Sequence, residues 1–135
     1  MSIIVTDAGF GSDDWTAGFS AADRHAANDG GAVDLPSDTP PGDLAAYLDA
    51  RLIRVDFPSF ADGRGFTLAA HLRRLGFAGR LRARGHVIAD QYAMARRAGF
   101  DEVEIDDDLA ARQPEDQWLA RADWRAHDYQ RRLRG

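Results

Sequence analysis

The chain has no cysteine and no lysine, and all seventeen of its basic side chains are arginine. Without a thiol it forms no disulfide and offers no thiolate nucleophile, no Cys-ligated zinc and no cysteine-held iron–sulfur cluster. Without a lysine amine it lacks Schiff-base chemistry, a side-chain attachment for pyridoxal phosphate and a P-loop lysine. No apolar run approaches the roughly 20 residues that span a bilayer. The start, Met1-Ser-Ile-Ile-Val-Thr-Asp7, lacks the basic segment of a secretory leader. Cytoplasm is the expected compartment, with no membrane partner. No Gly-x-Gly-x-x-Gly follows a strand, so no cofactor is evident. The histidines at 25, 71, 86 and 127 lack metal-ligand spacing, so no metal is expected. Nothing has the makings of a serine or cysteine triad.

What is present describes one domain. At 135 residues, 44% hydrophobic and 29% charged, the chain is an ordinary globular protein. It is long enough to bury roughly two-thirds of its unfolded surface. The net charge of −5 is uneven. Residues 1–62 carry three arginines against eleven acids, and residues 98–135 six against ten. Between them, residues 63–97 carry eight arginines against the single Asp90. A basic middle of this kind suits an anion. Equally, Arg73, Arg74, Arg96 and Arg97 fall where cations compensate helix C-termini. The acidic total and the absence of a known module argue against nucleic acid.

Turn residues and periodicity divide the chain into three parts. Residues 1–31 read as an irregular arm after a short strand at Ile3-Ile4-Val5, anchored by Trp15 and Phe19. Residues 32–105 read as repeated strand–helix units, with strands at Ala32–Leu35, Leu52–Phe57, Arg80–Arg84 and Glu102–Ile105. The intervening helices are expected from Asp43 to Ala50, Thr67 to Leu75 and Ala89 to Ala98, the last two closed by Gly76 and Gly99. Residues 106–135 read as an acidic start, Asp106-Asp107-Asp108, and a final helix from Pro114 through Trp118, Trp124 and Tyr129 to about Arg132. The fold class is α/β, a small parallel sheet resembling part of a (βα)-barrel.

The strands alternate in a way that a doubly covered parallel sheet does not. Ile53, Val55 and Phe57 alternate with Arg54 and Asp56; Leu81 and Ala83 with Arg80, Arg82 and Arg84; Val103 and Ile105 with Glu102 and Glu104. One face therefore packs on helices, and the other carries arginine and glutamate that can pair across strands. The charged face is left to the N-terminal arm, the last helix, a second subunit or solvent.

In parallel α/β folds ligands bind beyond the C-terminal strand ends. That rim holds Asp56 with the loop to Gly65, Gly85-His86, and Asp106 to Asp108. Arg64, between Gly63 and Gly65 at a helix start, is the candidate oxyanion fork, with Asp62 beside it. A plain Asp62-Gly63 turn with a solvated arginine is the competing reading. His86 at a strand end suits acid–base work, and Asp90 and Gln91 follow within a turn. The candidate catalytic residues are His86 and Asp90; the candidate ligand residues are Asp62, Gly63, Arg64, Gly65 and Gln91. Asp90 also fits as a first-turn acid, and the acidic triplet as a helix start or a Mg²⁺ holder.

The run Val55-Asp-Phe-Pro-Ser-Phe-Ala-Asp-Gly-Arg-Gly-Phe66, with Gly79-Arg-Leu-Arg-Ala83, Gly85-His-Val-Ile-Ala-Asp-Gln91 and Gly99-Phe-Asp101, resembles domain-of-unknown-function family 934. Asp13-Asp14-Trp15 and Tyr129-Gln130 also fit the pattern. His86 stands where the family usually has Asp, and Ala98 where Cys is common, which leaves Asp62, Arg64, Asp90 and Gln91 as the shared polar residues. The resemblance implies a role in assimilatory sulfite reduction, where the family is described as an oxidoreductase. Two expectations follow from it. One is a non-catalytic partner of sulfite reductase, its electron supply or another sulfate-assimilation protein, docking through the charged sheet face and helices. The other is an enzyme that binds sulfite or a related small oxyanion. A homodimer covering the charged sheet face is also compatible.

Overall fold

The computed structural model describes residues 2–22 and 31–125. Among them, seven strands form one mixed, mostly parallel sheet: β1 (Ser2–Thr6), β2 (Gly9–Gly11), β3 (Ser20–Ala21), β4 (Ala32–Leu35), β5 (Leu52–Phe57), β6 (Arg80–Gly85) and β7 (Glu102–Asp106). The spatial order is β2-β1-β7-β6-β5-β4-β3. Strands β3 to β7 are parallel and stand in chain order, as in an arc of a (βα)-barrel. The arc does not close. Beyond β7 the chain's own start adds β1 and β2 as an antiparallel hairpin.

The described residues also form the α-helices α1 (Arg64–Arg74), α2 (Tyr92–Ala98), α3 (Asp107–Arg112) and α4 (Glu115–Leu119), with 3-10 turns at Pro41–Tyr47 and Ala89–Gln91. The apolar strand positions Ile53, Val55, Phe57, Leu81, Ala83, Val103 and Ile105 are buried in one cluster with Leu68, Ala69 and Leu72 of α1 and Tyr92 and Ala95 of α2. Each large side chain so buried contributes about 1.5–3 kcal/mol. Both α1 and α2 end in the same capping pattern. Gly76 and Phe77 donate to Arg73 and Leu72, and Gly99 and Phe100 to Arg96 and Ala95. No helix among the described residues is long and apolar enough to cross a membrane.

Four sequence expectations need correction. The helix expected from Asp43 is a 3-10 turn entered through Pro40 and Pro41, with no side-chain cap; Pro41 supplies the starting φ two residues before Asp43. Helix α1 begins at Arg64 rather than Thr67 because the Asp62 carboxylate accepts the Arg64 N–H at 3.0 Å and starts the turn early. The final helix stops at Leu119. Trp118 and Trp124 would point about 120° apart on one continuous helix. The break lets Trp118 bury, while Trp124 lies with its ring 4.8 Å from the Arg96 guanidinium. The expected stretch to Tyr129 and Arg132 lies outside the described residues.

The fourth correction concerns the arm, which is not irregular throughout. It supplies both edge strands, β2 and β3, and residues 12–19 cross the polar face between them. On the way Asp14 meets Arg80 at 2.8 Å and Asp13 meets Arg82 at 3.0 Å. Phe19 lies flat under the Arg54 guanidinium, 3.6 Å from ring centroid to carbon. The expected charged face is therefore real, and the arm straps over it. Beneath the strap Arg82 is fully buried, its Nε 2.6 Å from Glu102 and its Nη1 2.8 Å from Glu104. Arg54 bonds Asp34 at 2.6 Å and Glu104 at 3.1 Å.

Candidate functional site

The two loops at the C-terminal ends of β5 and β6 form a single unit. Gly85 has φ of +111°, and a Cβ there would stand 2.8 Å from the Phe57 carbonyl oxygen. That backbone turn brings the His86 N–H to the same oxygen at 2.9 Å, with His86 Nδ1 3.3 Å from it. A carbonyl only accepts, so the ring contact needs a proton on Nδ1, and Nε2 is the nitrogen left facing away from this bond. The Phe60 ring stands edge-on to the imidazole, with centroids 5.0 Å apart.

Gln91 staples the loops together. Its Oε1 accepts from the Ile88 N–H at 3.0 Å, and its Nε2 donates to the Phe60 carbonyl at 3.0 Å. Both ends of the amide are thus held by backbone.

Arg64 is similarly engaged. Its Nε is 3.0 Å from Asp62 Oδ1, its Nη2 is 2.7 Å from Oδ2, and Nη2 also donates to Ser37 at 3.0 Å. These bonds, first from the guanidinium and then from the Arg64 N–H, hold the Asp62 carboxyl well below its usual range. The fork and helix start expected to receive an oxyanion thus already receive a carboxylate from two residues upstream. Gly65 has a packing reason: a Cβ would sit 2.4 Å from the Phe57 ring. Gly63, the N-cap, has open space around it.

Asp90 does not approach His86 as a partner; its carboxylate pairs with Arg121. The acidic triplet is a helix start, with Asp106 capping α3 by accepting from the Leu109 N–H at 2.8 Å.

What remains at the rim is a cleft of about 400 Å³ between the ends of β5, β6 and β7 and the start of α3. Asp56, Arg84, His86 and Arg112 line it together with Phe60 and Leu109. A second hollow of about 620 Å³ adjoins it over β4 and β5, and Asp56 and Arg84 line both. Of the sequence candidates, His86 lies in the cleft. Asp62, Gly63, Arg64, Gly65, Asp90 and Gln91 shape or flank the loops and are not among its lining residues.

The family described as bacterial protein of unknown function (DUF934) matches residues 32–135. The chain belongs to this family. The matched span takes in β4 to β7, both loops and nearly all of the cleft; of the described residues lining the cleft, only Ser2 falls outside it. It leaves out the strap, including Asp13, Asp14 and Phe19. No curated protein and no solved structure matches the chain.

Arg84 and Arg112 were absent from the sequence candidates. Arg84 had a signal: it is the last of three alternating arginines on β6 and pairs in register with Asp56. Arg112 had none, because its place depends on how α3 folds back over β7.

Proposed function

We propose that this chain is an accessory protein of assimilatory sulfite reduction, a non-catalytic partner of sulfite reductase or its electron supply. The pathway rests on the resemblance of the central block. Docking is supported by a basic hollow at the opposite pole from the rim, where the helices end. Arg51, Arg73, Arg80, Arg96 and Arg125 surround about 640 Å³ of open space beside Trp124, and among the described residues Asp101 is the only acid lining it.

Part of that charge serves the fold. Arg73 donates to the carbonyls of Gly99, Phe77 and Gly79, and Arg96 to that of Phe100, as suits cations at helix C-termini. The Arg51 guanidinium has no polar partner among the described residues, and that of Arg125 has only the Trp124 ring, 4.7 Å away. The sheet face is a poorer docking surface than the sequence suggested, since its charges pair internally beneath the strap.

Contacts between redox partners are small, charged and transient. Binding of sulfite reductase or its electron donor to immobilised protein should therefore weaken as salt rises, and weaken further in an Arg51→Glu, Arg125→Glu double variant. No binding of either at low ionic strength would rule the docking role out.

A second reading is an oxyanion-binding enzyme of the same pathway, described as an oxidoreductase. It is favoured by Arg84 and Arg112 in the rim cleft, neither of which makes a short ion pair among the described residues. Sulfite at about 100 times its Kd would then stabilise the fold by about 2.7 kcal/mol. An unchanged melting temperature at saturating sulfite would count against this reading.

A further inference from the structure

We infer that the rim cleft binds a small zwitterion, an amine that also carries a carboxylate or a sulfonate. The inference rests on the second reading only for the location of the site, and it changes what the site recognises.

The sheet's polar face pairs its charges almost completely until the rim. Arg82 places Nε, Nη1 and Nη2 on carboxylates, and Arg54 uses Nε, Nη1 and Nη2 in the same way. Glu104 serves both arginines and the Ser2 hydroxyl. Arg84, one step further along β6, finds only a Glu104 oxygen at 3.6 Å, and its side chain is 49% exposed. That distance is too long for a hydrogen bond.

Asp56 is the register partner of Arg84 on the neighbouring strand. Its carboxylate accepts no hydrogen bond from any described residue, and it does not pair with Arg84. An acid and a base thus stand side by side on one face, neither side chain hydrogen-bonded among the described residues, at the shared edge of two hollows. Neighbouring strands set such positions about 4.8 Å apart, which suits a ligand that presents both charges at close spacing.

The other groups divide in the same sense. Arg112 adds a second cation without a short ion pair to the cleft, and His86 Nε2 makes no bond among the described residues, whereas Glu104 and Asp106 are already bonded. An ammonium on Asp56 and an oxyanion on Arg84 and Arg112 would complete both signs at once. The buried flanks of Ile105 and Leu109 and the half-exposed Phe60 ring supply an apolar wall for a short carbon skeleton. A volume of about 400 Å³ is at the small end of ligand sites. A simple oxyanion would leave Asp56 beside it as a repulsive neighbour, which is the observation that separates the two ligand classes.

The test is calorimetric titration and thermal shift of the whole chain with β-alanine and taurine. Acetate, methanesulfonate, sulfate, sulfite and ethylamine serve as controls that carry charge of one sign only. A zwitterion should bind at concentrations where every control is silent. Asp56→Asn and Arg84→Gln should each weaken it by about tenfold or more, the contribution of one charge-assisted hydrogen bond, while Asp90→Asn leaves it unchanged. Melting temperatures of the ligand-free variants separate lost binding from lost folding. Equal binding of sulfate or sulfite, insensitive to Asp56→Asn, would overturn the zwitterion and leave the oxyanion reading standing. Silence from every probe would overturn both.

Discussion

Asp13 closes on Arg82 from outside the sheet, its two oxygens 3.0 and 3.1 Å from the terminal guanidinium nitrogens. The strap residue thereby completes the coordination of a fully buried arginine that already bonds Glu102 and Glu104. Removing the arginine takes the shared, buried cation from between Glu102 and Glu104, leaving the first only Arg80 and the second Arg54 and Ser2, whereas removing Asp13 leaves the arginine two partners. Arg82→Ala should therefore cost about 3–5 kcal/mol and Asp13→Ala about 1–2 kcal/mol. Urea unfolding of the two variants and their double mutant checks both the order and the coupling.

Acid should loosen the strap first. Burial raises the Asp13 carboxyl, but bonds from Arg82 and the Trp15 N–H outweigh it and bring it below 3.8. Arg80's hydrogen bond holds Asp14 below the same value, and at Asp7 bonds from Tyr92 and Arg96 overcome the effect of burial. Each folded value lies below the unfolded one, so the stabilisation is complete above the unfolded pKa and is lost as pH falls through the folded one. The urea midpoint should stay level from neutrality to about pH 5 and drop below about pH 4. Asp13→Asn should make the drop shallower. A midpoint that instead rises on acidification would contradict the assignment.

Two glycines of one loop should respond in opposite ways. A methyl group at Gly65 meets the Phe57 ring at 2.4 Å, so Gly65→Ala should cost about 1–3 kcal/mol. Gly63 has φ of −91° and nothing within 4 Å, so Gly63→Ala should be neutral or should stabilise by about 0.4–1 kcal/mol. Paired thermal melts decide it.

These contrasts mark where sequence reasoning stops. Alternation in β5, β6 and β7 was legible because a parallel sheet with one helical face must separate apolar from charged positions every second residue. The pairing of Arg82 with Glu102 followed from it. The destination of Arg64 was not legible. Asp-Gly-Arg-Gly reads equally as an anion fork or as a self-closed turn, and the choice depends on the Asp62 rotamer and on Ser37, far away in the chain. Residues 7–31 lack periodicity because β2 and β3 are only three and two residues long, too short for a pattern. Arg112 owes its place to a chain reversal after β7 that no local pattern encodes.

Gln91 offers a test of the loop pair as one unit. Gln91→Ala removes its bonds to the Ile88 N–H and the Phe60 carbonyl and should cost about 1–2 kcal/mol. The amide hydrogen exchange of residues 58–63 and 86–91 should accelerate together. Faster exchange confined to one loop would show that the staple does not couple them.

The pairing of β1 with β7 has a consequence for how the protein is made. Ile3 sits opposite Ile105 and Ser2 opposite Asp106, so β1 can pair early with β2 on one edge, but the partner of its other edge is synthesised some 102 residues later. Contacts of such long sequence separation are slow to close. In the meantime the hairpin waits with the β7-facing edge of Ile3-Ile4-Val5 unpaired. Nascent chains cut short before residue 102 should therefore be the aggregation-prone species, and the hairpin's arrival on β7 the step that commits the fold.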